Sequence, residues 1–149
     1  MSAQELADRL RDASASGSYR VAAEREVVAA ARELGIAAAH VSLAGVGTKH
    51  ELLRRFAEAL GFPDWFGANW DALEDCLTDL SWRPAGGHLV LIEGVAGLED
   101  LGPEDRDMLL DILRASARFW AGEGTPFFAA FVDPSRSLAL PDLLAGRAP

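Results

Sequence analysis

A single cysteine, Cys76, leaves this 149-residue chain with no possible internal disulfide, which suits a reducing compartment. Long apolar runs are missing too, and no stretch approaches the roughly 20 residues needed to span a bilayer. The opening MSAQELADRLRDASASG is charged and amphipathic and lacks the apolar centre of a signal peptide. These absences predict a cytoplasmic protein that neither crosses nor binds a membrane. Basic residues are few, 14 against 23 acidic, for a net charge of −9. They form no stripe that could neutralise phosphates, so nucleic acid is not an expected partner. An acidic field attracts basic proteins, but acidity also serves solubility alone. Only the placement of the charge separates the two.

Catalytic signatures are absent as well. The sequence contains no phosphate-cradling glycine motif, nucleophile elbow or Ser/His pairing, and Gly45-Val46-Gly47 is too short to count. His40, His50 and His88 show no metal-ligand spacing. Asp71, Asp75 and Glu93 are the one set considered as a carboxylate cluster for Mg²⁺, Glu93 because strand ends in parallel sheets often carry site residues. The reading is therefore a binding protein rather than an enzyme, with no cofactor and no metal.

What is present is apolar: half of the residues are hydrophobic, enough for one ordinary core. Ser2 to Ala13 reads as a helix with Leu6 and Leu10 on one side, broken by Ser14 to Ser18. Tyr19 to Val21 follows as a short strand, and Ala23 to Leu34 as a helix stopped by Gly35. Residues 1–36 thus form an extension, either integral to the domain, the preferred reading, or partly independent. The main unit spans residues 37–134. In it Ala38 to Leu43, His88 to Glu93 and Phe127 to Val132 read as buried strands. Thr48 with Glu51 predicts a capping box, Leu52, Leu53, Phe56 and Leu60 the apolar stripe behind it, and Gly61 the C-terminal cap. Pro103 opens a further helix whose apolar positions include Leu109, Ile112, Leu113 and Phe119. Residues 135–149 read as an irregular strap. Strands apolar on both faces and alternating with helices predict an α/β fold, a small, largely parallel sheet of three to four strands covered by helices.

The most informative stretch runs from Phe62 to Leu80. Asn69 is a good N-cap, and a helix to Leu80 divides into two arcs. Leu73, Cys76, Leu77 and Leu80 form the core arc, with Cys76 a buried small residue rather than a reactive thiol. Asp71, Glu74, Asp75, Thr78 and Asp79 form the other, with four negative charges and no Lys or Arg. Like charges at i and i+4 destabilise a helix, so a merely solvated face usually mixes signs, although a partnerless acidic surface stays open. Just before the helix, Trp65 and Phe66 suit either a lid on the core or a contact patch.

The run Leu60 to Thr78, LGFPDWFGANWDALEDCLT, resembles the signature of the barstar family, intracellular inhibitors of barnase-type ribonucleases. A dozen positions agree without a gap, and the elements from Ala38 to Val132 follow the family's order. The resemblance implies a one-to-one inhibitor that plugs the active site of a basic ribonuclease. By it, Asp75 would occupy the phosphate pocket and Asp71 would pair with further basic groups. Gly67, Asn69 and Thr78 would give hydrogen bonds or close backbone approach, and Trp65 would pack on the catalytic centre. Phe66, Glu74 and Asp79 complete the expected contact set. The sequence departs from the family pattern at Ala68, at Glu74, at Trp65 and Phe66, which lack the hydroxyls of tyrosine, and at Arg114 to Arg118, which offer no carboxylate. An adaptor for some other basic protein remains the alternative.

Overall fold

The computed structural model describes residues 2–144. Four strands form one parallel sheet in the order β1-β4-β3-β2, where β1 is Gly17–Val21, β2 Ala37–Ser42, β3 His88–Glu93 and β4 Phe127–Val132. The two central strands are apolar on both faces because each face receives a helical layer. Val90, Ile92, Phe127, Ala129 and Phe131 point into the larger cluster, with Leu89, Leu91, Phe128 and Ala130 in the other. The smaller cluster is closed by α1 (Ala3–Arg11) and α2 (Arg25–Glu33), through Leu6, Leu10, Val27 and Ala31. Over the larger lie α3 (Lys49–Leu60), α4 (Trp70–Leu77), α5 (Val95–Asp100) and α6 (Pro103–Gly122).

Several local expectations change in detail. Ser2 is the N-cap of α1 rather than its first residue, and it forms a full capping box with Glu5. The break after α1 is a short 3-10 turn, Ala13–Ala15, and β1 begins at Gly17, earlier than Tyr19. Thr48 does cap α3 by accepting from the Glu51 N–H at 3.1 Å. The Glu51 carboxylate instead takes Arg54 and Arg55 at 2.7 and 3.0 Å, so only half the capping box forms. A bidentate-capable guanidinium outcompetes a backbone N–H for a surface carboxylate. Gly61 closes α3 in the left-handed region, φ 63°. Helix α5, with no strong periodic signal, has no counterpart among the sequence expectations.

The chain after β4 turns on Asp133, which is only 1% exposed. Its carboxylate accepts from the Ser137 and Leu138 N–H groups at 3.1 and 2.8 Å. The residues beyond run along the open edge of β1. Arg20 N–H donates to Pro141 at 2.9 Å, Leu143 N–H to Arg20 at 3.0 Å, and the Arg20 guanidinium pairs with Asp142 at 2.7 Å. An otherwise unpaired strand edge is thereby covered. Residues 145–149 of the expected strap lie outside the described residues.

His88 opens β3 and is 3% exposed, packed on the rings of Trp120 and Phe127. Burial, and then the charge of Arg83, push its pKa down from 6.5 to about 4. The unfolded chain therefore takes up a proton as pH falls through 6.5, while the folded protein resists until about 4. Stability should be full above pH 6.5, decline between 6.5 and 4 by at most about 1.4 kcal/mol per pH unit, and level off below. Urea melts of the wild type and His88→Phe across this window should show the steeper loss in the wild type. Equal losses would mean that other groups set the acid limb.

Candidate protein-binding site

Helix α4 is held at both ends. Asn69 accepts from the Ala72 N–H at 2.7 Å at its start. At its end the Trp120 indole N–H donates to the Leu77 carbonyl at 2.8 Å, from α6. The helix stops at Leu77, three residues short of the expected Leu80, whose φ of 49° is left-handed. Thr78 is the C-cap and turns its hydroxyl back to the Glu74 carbonyl at 2.8 Å. Its proton is thus committed within α4, and only its oxygen remains free to accept. Asp79 lies in the turn beyond, so Asp75 and Asp79, although four positions apart, are not like-charged neighbours within the helix.

The two arcs are otherwise as drawn from the sequence. Leu73, Cys76, Leu77 and Leu80 are buried, and Asp71, Glu74, Asp75 and Asp79 are exposed. Among the described residues none of these four carboxylates forms an ion pair. The Cys76 thiol is raised to about 11, by burial first and then by the charges of Asp75 and Asp79. At neutral pH it is a protonated core residue and a poor nucleophile.

The loop from Gly61 to Ala68 splits its aromatics between two jobs. Phe66 packs edge-on against Phe62 at 4.9 Å and joins the fringe of the larger core. Trp65 is 57% exposed, and its ring lies edge-to-face with Trp82 at 6.2 Å. Trp82 in turn is fixed by its indole N–H on the Leu60 carbonyl at 3.0 Å. Gly67 is exposed, and a Cβ there would meet nothing nearer than the Asn69 side chain at 3.4 Å. Ala68 has φ 52°, a left-handed conformation that costs a non-glycine residue about 1 kcal/mol. The strained residue sits immediately before the cap that aims α4.

Three features beside α4 were not legible in the sequence. Lys49 and Met108, from α3 and α6, join Asn69, Trp70, Asp71 and Glu74 around a groove of about 350 Å³. Met108 is 43% exposed. Phe119, expected in the core stripe, is likewise 43% exposed and lies edge-on against Trp120. The buried stripe of α6 runs through Leu109, Leu113 and Ser116. At about 100° per residue Phe119 lies roughly 90° from its centre, just outside the buried Ile112 at the edge of the stripe.

The suggested set of Asp71, Asp75 and Glu93 is not brought together. Glu93 follows the alternation of Leu89 and Leu91, on the α1/α2 side of the sheet, whereas α4 covers the opposite side. There it faces Glu24 and His40.

Fold and site define a class: a parallel α/β domain presenting an exposed acidic helix flanked by exposed aromatic and aliphatic side chains. The chain belongs to the barstar (barnase inhibitor) family, whose model matches residues 36–132. No curated protein matches the sequence. Among solved structures, the ORC2 protein of Aeropyrum pernix (ADPNP-ADP complexes) is similar in fold, with TM-score 0.55 and 14% identity. That match covers 87% of this chain and 39% of the other. A Walker-type ATPase of Pyrococcus abyssi is similar at TM-score 0.55 and 9% identity, over 95% of this chain and 52% of the other. The chain thus spans about two fifths and half of the lengths of these two proteins. At such identities the likeness concerns the fold alone, and the Gly-x-x-x-x-Gly-Lys-Ser/Thr phosphate loop does not occur in this sequence.

No helix among the described residues is long and apolar enough to cross a membrane.

Proposed function

We propose that the protein is a cytoplasmic, one-to-one inhibitor of a basic, barnase-like ribonuclease, an immunity protein rather than an enzyme. The observation that carries this reading is the exposed carboxylate row of α4, Asp71, Glu74 and Asp75, with no ion pair to it among the described residues, in a member of the barstar family. A ribonuclease site must hold a phosphate with arginine or histidine, and a carboxylate offers the same pair of oxygens to a guanidinium. Asp75, at the middle of the exposed face, is assigned to that pocket, with Asp71 one turn nearer the N-terminus pairing with neighbouring basic groups. Asp79 adds to the negative field from the turn beyond. Trp65 packs against the partner, Gly67 and Asn69 allow close backbone approach, and Thr78 accepts a hydrogen bond. Phe66, half-buried, supports the loop and contributes only its outer edge. Met108 and Phe119 extend the apolar part of the surface onto α6, where the family carboxylate is missing.

Purified protein should abolish RNA cleavage by at least one barnase-like enzyme at one-to-one stoichiometry, measured by fluorogenic RNA hydrolysis. Full activity of a panel of such enzymes at saturating protein would sink the inhibitor reading and leave an adaptor for another basic protein.

A further inference from the structure

We propose that Glu24, His40 and Glu93 form a binding site for a first-row divalent cation, Zn²⁺ foremost, on the side of the sheet away from α4. The site is independent of the ribonuclease reading. Three separate parts of the chain deliver the ligands. His40 lies on β2, Glu93 ends β3, and Glu24 stands at the N-cap position of α2. His40 pairs in register with Leu91 and Ser42 with Glu93, so both side chains project on one face of neighbouring strands. The next residue in the chain holds Glu93 in place. Gly94 adopts φ +78°, and a Cβ there would lie 2.5 Å from the Ala44 nitrogen, so the ends of β2 and β3 are pressed together. The site is at the carboxyl end of a parallel sheet, where side chains from different strands converge.

One donor atom from each residue lies within 4.8 Å of the other two, and His40 Nδ1 is 3.8 Å from Glu93 Oε1. An ion among them would sit within about 2.8 Å of each, and small rotations of two exposed side chains reach the ~2.0–2.2 Å of Zn–N and Zn–O bonds. Glu24 does not use its carboxylate to cap α2. Its carboxylate lies against Glu93 instead. Among the described residues no lysine or arginine forms an ion pair with either glutamate; the only pairing is with His40. Two facing carboxylates and an imidazole are a donor set that a dication would neutralise. The imidazole favours Zn²⁺ over Mg²⁺ or Ca²⁺, which prefer oxygen alone. Three protein ligands on an exposed site leave the remaining positions to water. Sequence spacing could not show this, since the residues are 16 and 53 positions apart and meet only through strand pairing. Glu24 also lies outside the family match, so an ion here would fasten the N-terminal extension to the family domain.

The full chain, freed of metal with a chelator, would be titrated calorimetrically with ZnCl₂ and separately with MgCl₂. One Zn²⁺ per chain is expected, with weaker or no Mg²⁺ binding. Glu24→Gln, Glu93→Gln and His40→Ala should each weaken Zn²⁺ by about tenfold or more, and His50→Ala should not. The two glutamine variants keep the side-chain shape, so their far-UV circular dichroism should match the wild type. Excess Zn²⁺ should also raise the Tm of the wild type and leave that of Glu93→Gln unmoved. The absence of saturable Zn²⁺ binding up to millimolar concentration would overturn the proposal. So would binding that survives undiminished in the triple variant.

Discussion

Asp75→Ala is expected to leave the free protein as stable as the wild type or more so, and to weaken ribonuclease binding by about 3–5 kcal/mol. The stability half rests on α4 itself. Asp75 is exposed and has no ion pair among the described residues, one turn after Asp71 in an eight-residue helix. Substitution removes a like-charge pair worth roughly 0.2–0.5 kcal/mol and installs a residue with up to ~0.7 kcal/mol better helix propensity. The binding half rests on the partner, whose buried Arg or His groups would lose their counter-charge while remaining desolvated. The two measurements, a urea melt and a titration, need only the same pair of proteins. Effects of opposite sign would mark Asp75 as retained for binding at a cost in stability. A variant that melts early and still binds would show that Asp75 is structural, and the assignment of its face would fail.

Gly97→Ala should cost about 3 kcal/mol or more, or prevent folding altogether. Gly97 is buried in α5, and a Cβ built on it would stand 2.1 Å from the Leu43 carbonyl oxygen and 3.1 Å from the Leu43 carbonyl carbon. The obstacle is main chain, not the end of a flexible side chain. Leu43 N–H is itself bonded to the Glu93 carbonyl at 2.8 Å, so the strand cannot retreat without breaking the β2–β3 pairing. Gly86→Ala is the control. It has open space around it and an exposed position, so its stability should change little. Thermal melts of the two variants that coincide would show that α5 can lift from the strand at low cost.

These two glycines differ in nothing the sequence displays, and the contrast marks where local reading stops. Strands β3 and β4 were legible because HLVLIE and FFAAFV are apolar without alternation, the pattern of strands covered on both faces. The start of α4 was legible because Asn69 satisfies a backbone N–H three residues away, a bond within reach of local chemistry. Its end was not. Trp120, 43 positions on, reaches back to the Leu77 carbonyl, and the chain then turns through a left-handed Leu80.

The same limit explains the surface residues. A periodic stripe identifies Leu109 and Leu113 as core, but how far around α6 the core extends depends on what packs there, and Phe119 falls beyond it. Nor does charge patterning reveal that Lys49 borders the groove beside Asp71 and Glu74, since the two helices meet only in the packed domain. By itself the sequence determined the parallel α/β class, the barstar signature and the acidic arc with its buried reverse side, because each rests on contacts within a turn or a strand repeat. The tertiary structure alone decided the strand order, the exposure of Trp65 over Phe66 and the meeting of Glu24, His40 and Glu93. Those depend on which distant segments share a face of the sheet, and short-range periodicity carries no information about that.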